Sequence, residues 1–305
     1  MSDETWLTQR ERGAVWLVAL TFRLAILIGR RAMRPLVALV ALWYRVFDRR
    51  ATRASKQWLE RVHGRVPGYW EVYRHVRTFA QVTLDRVFLI TDRFGGLTFG
   101  RTGHQLLAAQ AASGRGAVLL GAHLGSFEAM RARGDEEELR IQIVGHFENA
   151  RMINALLSRL DPGHTANVIH IGSDPVGVMA TVKARVEAGD FVAILGDRTG
   201  LNERTTTARF FGAPARFPSG PFLLASLLQC PVYLVFGLYH EPNRYELSCE
   251  PFAERLDLPR ADRAGALQAV VQRYAERLEH HCRLAPDNWF NFFDFWSSGE
   301  PTQAT

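Results

Sequence analysis

The feature that most constrains this chain is a change of pattern at Arg115. From there, short apolar runs at 117–122 (AVLLGA), 141–145 (IQIVG), 167–172 (NVIHIG), 191–196 (FVAILG) and 231–240 (PVYLVFGLYH) alternate with stretches of helical character at 126–132, 149–160, 175–188 and 219–229. Near-continuous apolar runs of strand length read as strands buried on both faces, and the helices between them supply the crossovers that parallel strands require. The expected fold is therefore α/β: a mainly parallel central sheet with helices on both faces. An antiparallel edge strand is expected at 244–250 and a long closing helix at 261–282. In such sheets ligands sit beyond the carboxyl ends of the strands. That rule selects His123 after the first run, His146 after the second and Asp197 after the fourth as the rim of one cleft.

The first hundred residues are built differently. They hold 17 Lys+Arg against 8 Asp+Glu, a net of +9 in a chain whose total is +6, so the remainder is net negative. Apolar stretches at 14–28, interrupted by Arg23, and at 36–44 are separated by Arg30, Arg31, Arg34 and Pro35 and followed by Arg45, Arg49, Arg50 and Arg53. Neither reaches the roughly 20 apolar residues of a spanning helix, and the polar start lacks the basic region of a secretory signal. Apolar helices bordered by arginines, with Trp6, Trp16, Trp43 and Tyr44 beside them, read as a hairpin in the interface of an anionic bilayer. The other reading is amphipathic helices packed on the core with solvated arginines outside. Nucleic acid is disfavoured as the polyanion, because Leu, Val and Ala occupy the spaces where a groove would place polar or stacking groups. The expected division is 1–60 as membrane-associating helices and 61–305 as the catalytic domain, with an apolar helical stripe over 69–94 facing the core.

Several chemistries have no sequence support. No Gly-Lys pair exists, which removes a Walker A loop, and there is no G-x-S-x-G elbow. Gly114 and Gly116 precede a strand, where a dinucleotide fingerprint would follow one. No His/Cys set has zinc spacing, and the neighbours His280 and His281 cannot face one site from a helix. Cys230, Cys249 and Cys282 are dispersed and form no C-x-x-C, which fits a reducing, cytosol-facing location.

What remains is Gly121-Ala122-His123-Leu124-Gly125-Ser126-Phe127-Glu128. A histidine and an acid five apart lie far round a continuous helix, but a histidine on the turn before a helix can fold back over its first turn. Glu128 could then accept a hydrogen bond from one ring nitrogen and leave the other as a base, with Gly125 allowing close backbone approach. The alternative is a capped, structurally satisfied histidine.

This His-x4-acid segment after an apolar strand resembles the lysophospholipid acyltransferase superfamily, and its glutamate variant resembles the branch of late lipid A biosynthesis (lauroyl/myristoyl) acyltransferases. Gly196-Asp197-Arg198, Arg209-Phe210-Phe211-Gly212-Ala213-Pro214-Ala215, Phe217-Pro218-Ser219-Gly220-Pro221 and Ala285-Pro286-Asp287-Asn288-Trp289-Phe290 agree in order. The resemblance implies a glycerolipid acyltransferase-like fold. It also implies transfer of a fatty acyl group from a thioester, on acyl-carrier protein or coenzyme A, to a hydroxyl of a lipid A-like or other bacterial glycolipid or phospholipid. His123 would be the general base and Glu128 its orienting acid, with the amides of Gly125 and Ser126 as candidate oxyanion donors. Asp197 and Arg198 would orient the pair or bind a polar headgroup, or be no more than a capping acid and a solvated cation. Phe211 and Gly212 fall on the substrate side, while Phe210, Phe211 and Phe217 suit an acyl channel or the core equally. No cofactor or metal is implied. The implied partners are acyl-carrier protein, a lipid acceptor and an anionic membrane surface. The implied location is the inner membrane, with the site facing the cytoplasm. A non-catalytic lipid-binding protein on the same fold and a lipid esterase are the competing readings.

Overall fold

A computed structural model of the chain describes residues 15–94, 96–135, 139–145, 167–171, 175–199 and 203–296. Four helices come first: α1 Val15–Ile28, α2 Arg30–Phe47, α3 Arg49–His63 and α4 Tyr69–Ile90. The remaining elements are β1 Thr98–Thr102, α5 His104–Ala112, β2 Ala117–Gly121, α6 Phe127–Asp135, β3 Ile141–Gly145 and β4 Val168–His170, then α7 Pro175–Glu187 and β5 Phe191–Leu195. A hairpin, β6 Thr205–Phe210 and β7 Ala213–Pro218, is followed by α8 Gly220–Leu228, β8 Val232–His240, β9 Arg244–Ala253 and α9 Arg263–Leu284. The expected helix at 149–160 and the strand-end residue His146 lie outside the described residues.

The sheet has seven strands in the order β1-β9-β8-β2-β5-β3-β4, and the only antiparallel neighbours among them are β8 and β9. The apolar runs therefore form the parallel sheet that was expected, and the carboxyl ends of β8, β2, β5, β3 and β4 share one edge. Alternation within each strand builds both faces. Val118, Leu120, Val192 and Ile194 pack with α9 and α8 on one side. Ala117, Leu119, Phe191 and Ala193 pack with α5 and α6 on the other. The strand expected at the edge, β9, is internal, because β1 pairs parallel to its outer side from Thr98↔Arg244 to Thr102↔Ser248. β1 escaped notice because its sequence, TFGRT, is neither apolar nor alternating.

The N-terminal helices divide between two roles. Asp48 caps α3 by accepting from the Ala51 amide, and Gly64 at φ 66° ends it. The expected boundary at residue 60 falls inside this helix, whose Trp58 and Leu59 belong to the main core. α2 buries Arg30, Met33, Val37 and Ala41, one stripe at helical spacing. Arg30 is thus not a surface arginine. Its Nε and Nη2 donate to Asp85 of α4 at 2.7 and 3.0 Å, Nη1 donates to the Pro242 carbonyl and Nη2 to the Tyr239 hydroxyl. Gln81 Nε2 and the Tyr245 hydroxyl complete the donors around Asp85.

Beside its buried stripe α2 presents Leu36, Leu39, Val40, Trp43 and Phe47 outward, and α1 adds Leu20, Leu24, Leu27 and Ile28. Phe47 is 67% exposed and Leu27 80% exposed, so most of each side chain faces away from the core. Among the described residues no helix is long and apolar enough to cross a membrane.

Candidate active site

Strand order decides which acid meets His123. β2 and β5 are adjacent and parallel, with Gly121 in register with Leu195. Two residues beyond each lie His123 and Asp197, so equal advance along two neighbouring strands brings the two side chains together. His123 Nδ1 is 2.8 Å from Asp197 Oδ1, and the His123 amide donates to Asp197 Oδ2 at 3.0 Å. An ionised carboxylate only accepts, so Nδ1 carries the proton and Nε2 is the unprotonated nitrogen in that tautomer.

Glu128, at the start of α6, takes a different partner: its Oε1 lies 2.6 Å from Arg86 Nε on α4, an ion pair without hydrogen-bond alignment. The acid in contact with the His123 ring is Asp197, the residue read as either an orienting acid or a simple cap, and not Glu128.

The turn between them is held by backbone contacts that leave little freedom. Gly125 sits at φ 74°, and a Cβ there would lie 2.0 Å from the Gly237 carbonyl. Its amide donates to the Asn288 carbonyl and the Ser126 amide to the Gly237 carbonyl, so in this conformation neither is offered to an oxyanion. Ser126 Oγ caps α6 by accepting from the Ala129 amide.

The segment 285–291 forms a strap across this turn. Leu124 pairs antiparallel with Trp289, and the Phe290 amide donates to the His123 carbonyl. Asn288 clamps β8 through both of its amide atoms, Oδ1 accepting from the Tyr239 amide and Nδ2 donating to the Tyr239 carbonyl. Trp289 Nε1 donates to Asp197 Oδ2 at 3.1 Å. Arg198 Nη2 donates to the Phe290 carbonyl at 2.5 Å.

Helices α3 and α4 hold the strap from behind. Trp58 Nε1 donates to the Pro286 carbonyl, and its ring meets that of Trp289 at 4.6 Å. His75 is fully buried, with Ser55 Oγ at 2.7 Å from Nδ1 and the Trp289 carbonyl at 3.0 Å from Nε2. A carbonyl only accepts, so the proton is on Nε2 and the Ser55 hydroxyl donates to Nδ1. The contacts of Trp58 and His75 with the strap had no local sequence signal, since each joins residues more than 200 positions apart.

Burial and charge tune the groups. Burial pushes the His123 imidazole below its ordinary value and Arg198 adds to that, while Asp197 opposes both. For Asp197, burial would raise the pKa, but His123, Arg198 and the His123 amide outweigh it and hold the carboxyl below the ordinary value. Arg198 is pushed down to about 10 by burial against the pull of Asp197, which leaves it cationic at neutral pH. His123 retains a side chain 29% exposed, while Asp197 is 1% exposed, which suits a base that must reach substrate and an acid that need not.

Phe211 and Gly212 form the two-residue turn of the β6–β7 hairpin, both with positive φ, at 48° and 77°. The Phe211 amide donates to Glu279 of α9, and its ring contacts Trp58 and Phe210. They reach the His123–Asp197 pair only through the aromatic cluster around Trp289. Phe210 and Phe217 are fully buried in that cluster and serve as core. Among the described residues no group of three or more His, Cys, Asp or Glu could hold a metal ion.

A partly exposed histidine held by a buried acid therefore lies at the carboxyl edge of a mainly parallel sheet. Over residues 3–298 the chain matches the family of bacterial lipid A biosynthesis acyltransferases, and it belongs to that family. It is therefore an acyltransferase, and the resemblance read from the His-x4-Glu segment and its companions holds. No curated protein sequence gives a significant match.

Proposed function

We propose that this protein transfers a fatty acyl group from an acyl thioester, carried by acyl-carrier protein or coenzyme A, to a hydroxyl of a lipid A-like acceptor, with His123 as general base. The observation that carries this reading is the 2.8 Å contact from His123 Nδ1 to buried Asp197. It places the proton on Nδ1 and directs Nε2 toward the role of base. Nε2 removes the acceptor hydroxyl proton as the oxygen attacks the thioester carbonyl. The new C–O bond forms, the C–S bond breaks as the tetrahedral intermediate collapses, and the imidazolium returns the proton to the departing sulfur. Asp197 stabilises the imidazolium between these steps, and Arg198 adds positive potential where the oxyanion develops.

Direct transfer is supported by the cysteines. Cys230, Cys249 and Cys282 are all buried, and burial raises each thiol pKa, to about 11 for Cys230 and about 12 for Cys249. None has the lowered pKa of an acyl-accepting thiolate.

The outward apolar side chains of α1 and α2, with Trp43 and Phe47 among them, support docking on the surface of an anionic bilayer, with Arg23, Arg31 and Arg49 also exposed. The catalytic cleft would then face the cytoplasm, where acyl thioesters are made. Purified protein incubated with acyl thioester and lipid A precursor in anionic vesicles tests the reading by mass spectrometry of the products. Acylated lipid from wild type and none from His123→Ala is the expected result, whereas equal product from both removes His123 as the base. Free fatty acid in place of acylated lipid would identify an esterase.

A further inference from the structure

Of the groups around the site, Trp289 is the one whose contacts serve neither substrate nor core alone. We propose that the Trp289 indole N–H is a positioning element of the catalytic machinery, which fixes Asp197 for its bond to His123 and limits the basicity of that carboxylate. This inference rests on the reading of His123 as the base.

The geometry carries it. Asp197 offers Oδ1 to the imidazole and Oδ2 to two donors, the His123 amide at 3.0 Å and Trp289 Nε1 at 3.1 Å. Each carboxylate oxygen is thereby committed, and rotation of the carboxylate would break at least two bonds at once. Trp289 itself cannot move to follow, since its side chain is 0% exposed and its ring is packed by Trp58, Phe210, Phe295 and Trp296. Its carbonyl is held by His75, the Phe290 amide donates to the His123 carbonyl, and the Asn288 carbonyl accepts from the Gly125 amide. Any buried indole needs an acceptor. Here the acceptor is the acid that orients the base, so the bond acts on the reaction through His123.

The consequence for acid–base behaviour follows from the charges present. Facing the pair are Arg198 from the same loop, Tyr274 and Cys282 from α9, and His75 from α4 behind Trp289, with Arg86 and Glu128 paired beside the turn. A donor to Asp197 withdraws charge from the oxygens that hold the imidazolium. With the indole N–H removed and the His123 amide still anchoring Oδ2, the carboxylate attracts the imidazolium proton more strongly. The pKa of His123 then rises, and the acid limb of the rate profile moves to higher pH.

The experiment is a pH profile of kcat/KM for acyl transfer by wild type, His123→Ala and Trp289→Phe. Because Phe leaves space in the aromatic cluster, a second variant replaces Trp289 with β-(3-benzothienyl)alanine, which keeps the bicyclic shape and substitutes sulfur for the N–H. Thermal unfolding of each variant reports its packing. The expected result for the benzothienyl protein is unfolding like wild type, kcat lowered about tenfold with KM little changed, and an acid limb moved up by about half a pH unit. An acid limb that stays in place in the benzothienyl variant, whatever its rate, overturns the proposal and leaves Trp289 as packing. Activity surviving in His123→Ala would instead overturn the underlying reading, a distinct failure.

Discussion

The strand-end site and the N-terminal helical layer handle the same physical problem in opposite ways. At the site the polar groups around the histidine turn meet partners within the chain: Asp197 accepts three contacts, and the amides of Gly125, Ser126 and Phe290 each find a carbonyl. On α1 and α2 the unmet demand is apolar, since Leu27, Leu39, Trp43 and Phe47 are each more than half exposed. Buried polar atoms need partners supplied by the fold itself. Exposed apolar patches need partners supplied from outside it. The first region draws its partners from within the chain, and the second presents apolar surface outward, as the proposed docking on lipid requires.

The largest effect that tests this contrast is loss of the base. His123→Ala should lower acyl transfer at least 10³-fold, with thermal unfolding unchanged, because the side chain is the most exposed member of the pair. Asp197→Asn should cost about 10²- to 10⁴-fold in kcat. Removing its charge also takes away what holds the imidazole pKa up against burial and Arg198, so the acid limb of the remaining activity should move to lower pH. Glu128→Gln acts on the Arg86 pair and should leave that limb in place; a limb shifted as far as in Asp197→Asn would show that Glu128, not Asp197, sets the base.

Arg30→Ala strands a buried carboxylate and should destabilise the protein by about 3–5 kcal/mol in urea denaturation. Arg31→Ala, at an exposed position on the same helix, should change stability by less than about 0.5 kcal/mol. Equal effects would erase the distinction between the inward and outward arginines of α2.

His75 links the two regions, and its pKa is pushed down to about 4 by burial. A histidine depressed in the folded state contributes fully above its unfolded value of about 6.5, and that contribution is lost as pH falls toward 4. The loss should reach about 3 kcal/mol, and the difference between wild type and His75→Gln across this window isolates it from other groups. Serine at Leu39, Trp43 and Phe47 together should reduce flotation with anionic vesicles about 10²-fold while leaving turnover of a soluble thioester within about twofold. Undiminished flotation would mean that this face is not the one that meets lipid.

Much of this was legible because it depends on local patterning. Runs such as AVLLGA and FVAILG announce buried parallel strands, and strand ends announce His123 and Asp197. Which acid orients the histidine was not legible, because spacing favours Glu128 and only the adjacency of β2 and β5 brings Asp197 closer. Arg30 read as one of a surface cluster because its partner Asp85 lies 55 positions away. The strand β1 was missed for a related reason, since its half-polar residues become a strand only by pairing with distant β9, while the local hairpin β6–β7 is obscured by its half-polar composition alone.

The strap over the histidine turn also sets an order of events during synthesis. A ribosome delivers α1 and α2 first, and residues 285–291 only after the whole sheet has been made. The contacts of Asn288, Trp289 and Phe290 with the turn span more than 160 positions, so they are among the slowest to form. A nascent chain therefore exposes the apolar faces of α1 and α2 long before it can hold Asp197 in place. On the proposed reading, contact with lipid comes before competence for chemistry, and a partly made chain lacks the means to consume a thioester.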